Sequence, residues 1–122
     1  MQERISDAEL AIMEVLWAES PITATDVAAR LAGDRDWSIT TIKTLLSRLL
    51  AKAAVGYAQD GRRFLYSPLV VREDYVTGES RRLVDRLFGG KFMPLVAHLA
   101  EQEKLSDDDI AEIERLLREM RK

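Results

Sequence analysis

The side chains best suited to chemistry cluster between Trp37 and Lys52. If this stretch is helical, at about 100° per residue, Thr40, Thr44, Ser47 and Ala51 share one face. Lys43 lies on one flank of it, Arg48 and Thr41 on the other, and no carboxylate interrupts the pattern. Short hydroxyls flanked by cations suit close approach to a phosphate backbone and to base edges. An ordinary solvated face carrying a Lys/Arg pair is the plainer reading of the same residues. Bond-making chemistry has little to work with. The chain has no cysteine and one histidine, His98, so a Ser–His–Asp arrangement would have to use His98. Thiolate metal sites and a His-only site within one chain are excluded. Asp107, Asp108 and Asp109 could hold a cation weakly, but acids in the first turn of a helix account for them better. No enzyme activity, cofactor or metal site is expected.

The element that must position this face is the helix itself. Ile42, Leu45, Leu46, Leu49 and Leu50 fall at i, i+3, i+4, i+7 and i+8, an apolar stripe at helical period. Ser38 can cap its start. Charge is uneven around it. Residues 1–37 hold eight acids against three arginines, and residues 71–122 twelve acids against ten cations. Between them, residues 38–70 set Lys43, Arg48, Lys52, Arg62 and Arg63 against Asp60 alone. A basic segment inside a chain of net charge −3 is the electrostatic footprint of a nucleic-acid binder.

The preceding residues supply two more helices. Ser6-Asp-Ala-Glu9 reads as a capping box, followed by Leu10, Met13, Val15, Leu16 and Trp17 in a helix ending near Ala18. Ser20-Pro21 breaks it, and Ile22-Thr23 is a short extended piece. A second helix starts at Thr23 or Thr25, turns Val27, Ala28 and Leu31 inward, and stops at Gly33. Two helices joined by a turn, the second carrying cations, make a helix-turn-helix. After the third helix, Val55 to Tyr66 forms two strand-like runs around Asp60-Gly61, a strong hairpin signal. Phe64 and Tyr66 share one face there. This hairpin is the wing of a winged helix, with Arg62 and Arg63 at a tip that would meet a phosphate or the adjacent minor groove; a solvated tip is the alternative.

Beyond Pro68 the chain reads as three amphipathic helices. Tyr75, Val76, Leu83, Val84, Leu87 and Phe88 line the first, which Gly89-Gly90 stops. Phe92, Leu95, Val96 and Leu99 line the second. Ser106 caps the third, with Ile110, Ile113, Leu116, Leu117 and Met120 in one stripe. About 50 residues of this kind have little interior of their own. They are expected to bury these stripes against a second copy, the alternative being that they fold back on the winged helix. The expected fold class is therefore mainly α with a small β wing: a winged helix-turn-helix domain over residues 1–70 and a helical dimerisation domain over residues 71–122. No apolar run nears the roughly 20 residues of a membrane span, and no signal peptide is evident, so the expected compartment is the cytoplasm, without membrane insertion.

Several strings, in order, carry a resemblance. They are Ile5-Ser-Asp-Ala-Glu9 with Val15-Leu-Trp17, Asp36-Trp-Ser38 with Thr41-Ile-Lys-Thr44 and Ser47-Arg-Leu49, the wing core Phe64-Leu-Tyr66, Gly89-Gly90 before Leu95-Val96, and Leu105-Ser106 ahead of Ile110. Over nearly its whole length the chain resembles the BlaI/MecI/CopY penicillinase-repressor family. The resemblance implies a homodimeric winged-helix repressor of a dyad-symmetric DNA operator. It implies that Thr40, Thr41, Lys43, Thr44, Ser47 and Arg48 line the major groove. It places Trp37 at the helix entrance near a phosphate, although core packing explains Trp37 as well. Three departures stand out. The Cys-x-Cys pairs of copper-responsive members are missing. The Asn-Phe bond that a partner membrane metalloprotease cuts in antibiotic-responsive members is matched here by His98-Leu99. The glycine that ends the recognition helix in many members is replaced by Ala53-Ala54, where a left-handed cap would cost roughly 1 kcal/mol. A winged-helix module that docks an acidic protein is the competing function.

Overall fold

The computed structural model describes residues 4–102 and 104–122. Its elements run α1 (Asp7–Ala18), α2 (Ala24–Leu31), α3 (Ile39–Ala51), β1 (Val55–Asp60), β2 (Arg63–Pro68), α4 (Arg72–Phe88), α5 (Met93–Glu101) and α6 (Asp107–Met120). The chain forms two compact units, Met1–Tyr75 and Val76–Lys122. The division falls inside α4, past the expected 70/71 boundary.

In the first unit the three helices start where hydroxyl side chains can accept from free first-turn N–H groups. Ser6 and Thr23 each close a reciprocal capping box, with Glu9 and Asp26, and Ser38 accepts from the Thr41 N–H. Thr23 rather than Thr25 is thus the cap of α2. The helices meet over Ile12, Met13, Leu16, Val27, Ile42, Leu46 and Leu49, all essentially without solvent contact. Each such side chain contributes about 1.5–3 kcal/mol on burial. The α3 stripe packs as its period requires, apart from Leu50, which is only half-buried. In α1 the inner face is centred on Ile12, Met13 and Leu16, while Leu10, Val15 and Trp17 lie at its margin. There the Trp17 indole N–H donates to the Val70 carbonyl at 2.8 Å, which ties the chain leaving the wing to α1.

One charged residue enters this core. Glu9 is 1% exposed and pairs with the Lys52 ammonium at 2.6 Å. The same ammonium donates to the Arg4 carbonyl at 2.7 Å. Lys52 therefore fastens the start of the chain to the end of α3.

The end of α3 is a Schellman motif: Ala54 N–H donates to the Leu49 carbonyl and Ala53 N–H to the Leu50 carbonyl. Ala53 takes φ +59° there, the left-handed conformation anticipated from the missing glycine. β1 and β2 then pair antiparallel, with Tyr57 opposite Tyr66 and Asp60 opposite Arg63. The turn consequently pivots on Gly61-Arg62, one residue later than the Asp60-Gly61 expected. Gly61 carries φ +64°, the positive φ that a II′ turn needs at its first central position. Ile22 adds an isolated backbone bridge outside this ladder, exchanging hydrogen bonds with Tyr66. This anchors the base of the wing to the α1–α2 connection.

Helices α4, α5 and α6 have no buried residue. Gly89 and Gly90 both have positive φ and end α4. Ser106 and Asp109 form a third capping box at the start of α6.

Candidate nucleic-acid interface

Ser38 begins the site. Its hydroxyl accepts from the Thr41 N–H and donates to the Thr41 hydroxyl, both at 3.1 Å. The inward stripe then fixes the rotation of α3, which leaves Thr40, Thr41, Lys43, Thr44, Ser47 and Arg48 exposed together. The Thr44 hydroxyl donates to the Thr40 carbonyl at 3.0 Å. Its proton is thus used within the helix, while the residue stays exposed. Trp37 is half-buried against the core. The Arg35 guanidinium lies 4.9 Å from the centre of its ring, a cation–π contact that places another cation at the entrance to α3.

The wing presents its two arginines differently. Arg63 pairs with Asp60 across the last register position, at 2.7 Å. Arg62, Lys43 and Arg48 have no ion pair among the described residues. Behind the tip, Tyr57 and Phe64 meet edge to face with centroids 4.8 Å apart, and both remain exposed.

Between the start of α2 and the wing, with Lys43 of α3 beside them, runs a groove lined by Thr25, Asp26, Lys43, Arg62, Arg63 and Phe64, among others. It unites Lys43 with both wing arginines; Trp37, Thr40, Thr41, Thr44, Ser47 and Arg48 are not part of its lining. Asp26 is the acid here. The Thr23 N–H and hydroxyl hold its carboxyl below the usual range against the opposing effect of burial, and Arg30 and Arg63 add to this. Thr25 and Phe64 were not singled out from sequence. Thr25 reads from sequence as an alternative helix cap and Phe64 as part of the wing core; the bridge of Ile22 to Tyr66 at the entry to α2 brings the wing beside Thr25. Lys52, one of the five cations of the basic segment, is spent on Glu9 and leaves the exposed set.

A group of three or more His, Cys, Asp or Glu side chains able to hold a metal ion does not occur among the described residues. No helix among them is long and apolar enough to cross a membrane. His98 lies in α5 and is exposed; Leu99 beside it is half-buried.

Comparison with known proteins agrees with this geometry. A family model described as penicillinase repressor matches residues 5–119. The penicillinase repressor of Bacillus licheniformis is 35% identical over 116 residues, covering 95% of this chain and 91% of that protein. The methicillin resistance regulatory protein MecI of Mammaliicoccus sciuri is 33% identical over 113 residues, covering 93% and 92%. Among solved structures, that of Bacillus licheniformis BlaI, in its monomeric form in complex with the blaP half-operator, is 40% identical. It covers 62% of this chain and 92% of that one, with a TM-score of 0.53.

Proposed function

Because the chain belongs to the penicillinase repressor family, a family of DNA-binding repressors rather than enzymes, we propose that it represses transcription as a homodimer on a palindromic operator. The α3 face carries this reading: six exposed hydroxyl and cationic side chains with no carboxylate among them. In the proposed complex α3 enters the major groove and Arg62 and Arg63 on the wing meet the backbone or minor groove alongside. Trp37 buttresses the helix entrance near a phosphate. Arg48 reaches a guanine edge, and the Thr44 methyl meets a thymine methyl. The related BlaI was solved on a half-operator, which supports one winged helix per half-site. A two-fold dimer then requires a palindrome. A repressor of this kind works in the cytoplasm, where the DNA is.

The reading extends to inactivation by a membrane metalloprotease that cuts His98–Leu99. That bond lies within α5, so a protease gains it only after local opening of the helix. Mass spectrometry of the chain after incubation with such a protease tests this step; an intact 98–99 bond would remove it.

The main test is a footprint followed by paired titrations. A bounded, two-fold symmetric footprint is expected on DNA upstream of a regulated gene. Thr44→Ala should weaken operator binding by roughly 1–3 kcal/mol and leave scrambled duplex almost unaffected, since no charge is removed. A protein without any footprint that still captures an acidic protein would instead be a docking module.

A further inference from the structure

Two residues one turn apart on α1, Glu14 and Trp17, gather the chain that leaves the wing. The Trp17 indole N–H donates to the Val70 carbonyl at 2.8 Å. Its ring meets the Tyr75 ring with centroids 5.7 Å apart, within the range of an aromatic pair. The Arg72 guanidinium lies 6.0 Å from the centre of the Trp17 ring and donates to the Glu14 carboxylate at 2.9 Å. An exposed ion pair of this kind holds little by itself. Here it converges with the Trp17 contacts on residues 70–75, which include the first turn of α4, where the Tyr75 N–H donates to the Val71 carbonyl at 3.1 Å. Every residue of this junction belongs to the first unit, whereas α4 runs on to Phe88. A single tether would stop the chain from fraying. Anchors at Val70, Arg72 and Tyr75 also fix the direction of the helix axis that starts there.

We propose that Glu14, Trp17 and Arg72 are positioning residues for operator choice: by fixing the direction in which α4 leaves each reading head, they set the half-site spacing that the dimer accepts. The inference rests on the homodimer and the palindrome proposed above and deepens that reading. On B-form DNA one added base pair moves a half-site by about 3.4 Å and turns it by about 35° around the axis. A head held at a fixed direction cannot follow that turn, so the second binding event loses its intramolecular advantage. A head on a loose tether follows it. The α3 face then decides which half-site is bound, and the junction on α1 decides which pairs of half-sites are.

The experiment uses the full chain and the operator located by footprinting, the same duplex with one base pair added or removed at its centre, and an isolated half-site. Wild type is compared with Glu14→Gln/Trp17→Phe, with Arg72→Glu, and with Glu14→Arg/Arg72→Glu, which restores the ion pair in reverse. Melting curves and sedimentation check the fold and the dimer of each. Wild type should bind the natural spacing roughly tenfold or more tighter than either altered spacing. Glu14→Gln/Trp17→Phe should shrink that ratio to about threefold or less, with half-site affinity unchanged. Arg72→Glu should shrink it as well, and the charge reversal should recover it. If Glu14→Gln/Trp17→Phe keeps the wild-type ratio, or loses affinity equally for operator and half-site, the junction only supports the fold and the spacing role is wrong, while the repressor reading stands. A wild-type dimer that binds all three spacings alike would also overturn it. Wild type that binds the operator no tighter than the half-site would remove the dimeric reading itself, and the spacing role with it.

Discussion

Glu9 serves two purposes at once. As the third residue of α1 it accepts from the Ser6 N–H in the capping box, and as a core residue it accepts from Lys52. Burial pushes its carboxyl up, but Lys52 and the Ser6 donors outweigh this and hold it below the ordinary value. A carboxyl with a depressed folded pKa stabilises the protein above its unfolded pKa, and that stability is lost as pH falls through the folded value. Unfolding followed by circular dichroism should therefore become easier from about pH 4.5 downward. Glu9→Gln should flatten that acid limb and cost about 1–3 kcal/mol at pH 7, because it leaves the half-buried Lys52 without its counter-charge. An acid limb of the same shape in the Gln variant would show that other carboxyls govern it. Ala53 offers the opposite sign. It holds a left-handed φ that glycine adopts freely, so Ala53→Gly should raise stability by about 1 kcal/mol in denaturant titration. A loss on substitution would mean that the gain in unfolded-chain entropy exceeds the relief of strain. The Ser6–Glu9 box was legible in the sequence because it is local. The Lys52 partner was not, since nothing local distinguishes a lysine 43 residues away in sequence from one exposed to solvent.

Among the elements, α3 was the easiest to read: a five-residue stripe fixes its buried face, and the outward face follows from rotation alone. The wing was legible as a hairpin, but its turn was placed one residue early. Asp60-Gly61 is the stronger local signal, yet pairing of Asp60 with Arg63 extends both strands and moves the pivot to Gly61-Arg62. The Ile22 bridge escaped for a related reason, because a single pairing residue leaves no alternation to detect. The corrected register makes the two wing arginines unequal. Asp60, opposite Arg63 and 2.7 Å from it, cancels much of the charge that Arg63 would offer a phosphate, whereas Arg62 at the turn is not offset. Arg62→Ala should lower the salt slope of DNA binding by about one unit, Arg63→Ala by clearly less, and Asp60→Asn should steepen it. Equal slopes for the two alanine variants would mean that DNA displaces Asp60 from Arg63 on binding, as the weakness of exposed ion pairs allows.

At the scale of the whole molecule the two units differ in how far they satisfy themselves. Residues up to Tyr75 close around a core of fully buried side chains. From Val76 onward no residue of a helix is buried, and Phe92, Ile110, Leu116, Leu117 and Met120 are from 44% to 78% exposed. Leu95, Val96, Leu99 and Ile113 are half-buried. The apolar periodicity of these helices was plain in the sequence, but what covers it is not a property of a single chain. Apolar stripes this continuous mark an interaction surface, and the proposed homodimer supplies the cover. Sedimentation at micromolar concentration should then show a dimer. Ile113→Asp introduces a charge into the stripe of α6 and should yield a monomer, with the first unit still melting as in wild type because its core lies elsewhere. Operator affinity should fall steeply in this variant, since the second half-site no longer binds as an intramolecular event. Affinity for an isolated half-site should be unchanged, which separates lost dimerisation from a damaged reading head. A wild-type chain that sediments as a monomer with α5 and α6 still folded would overturn the dimer and, with it, the palindromic operator.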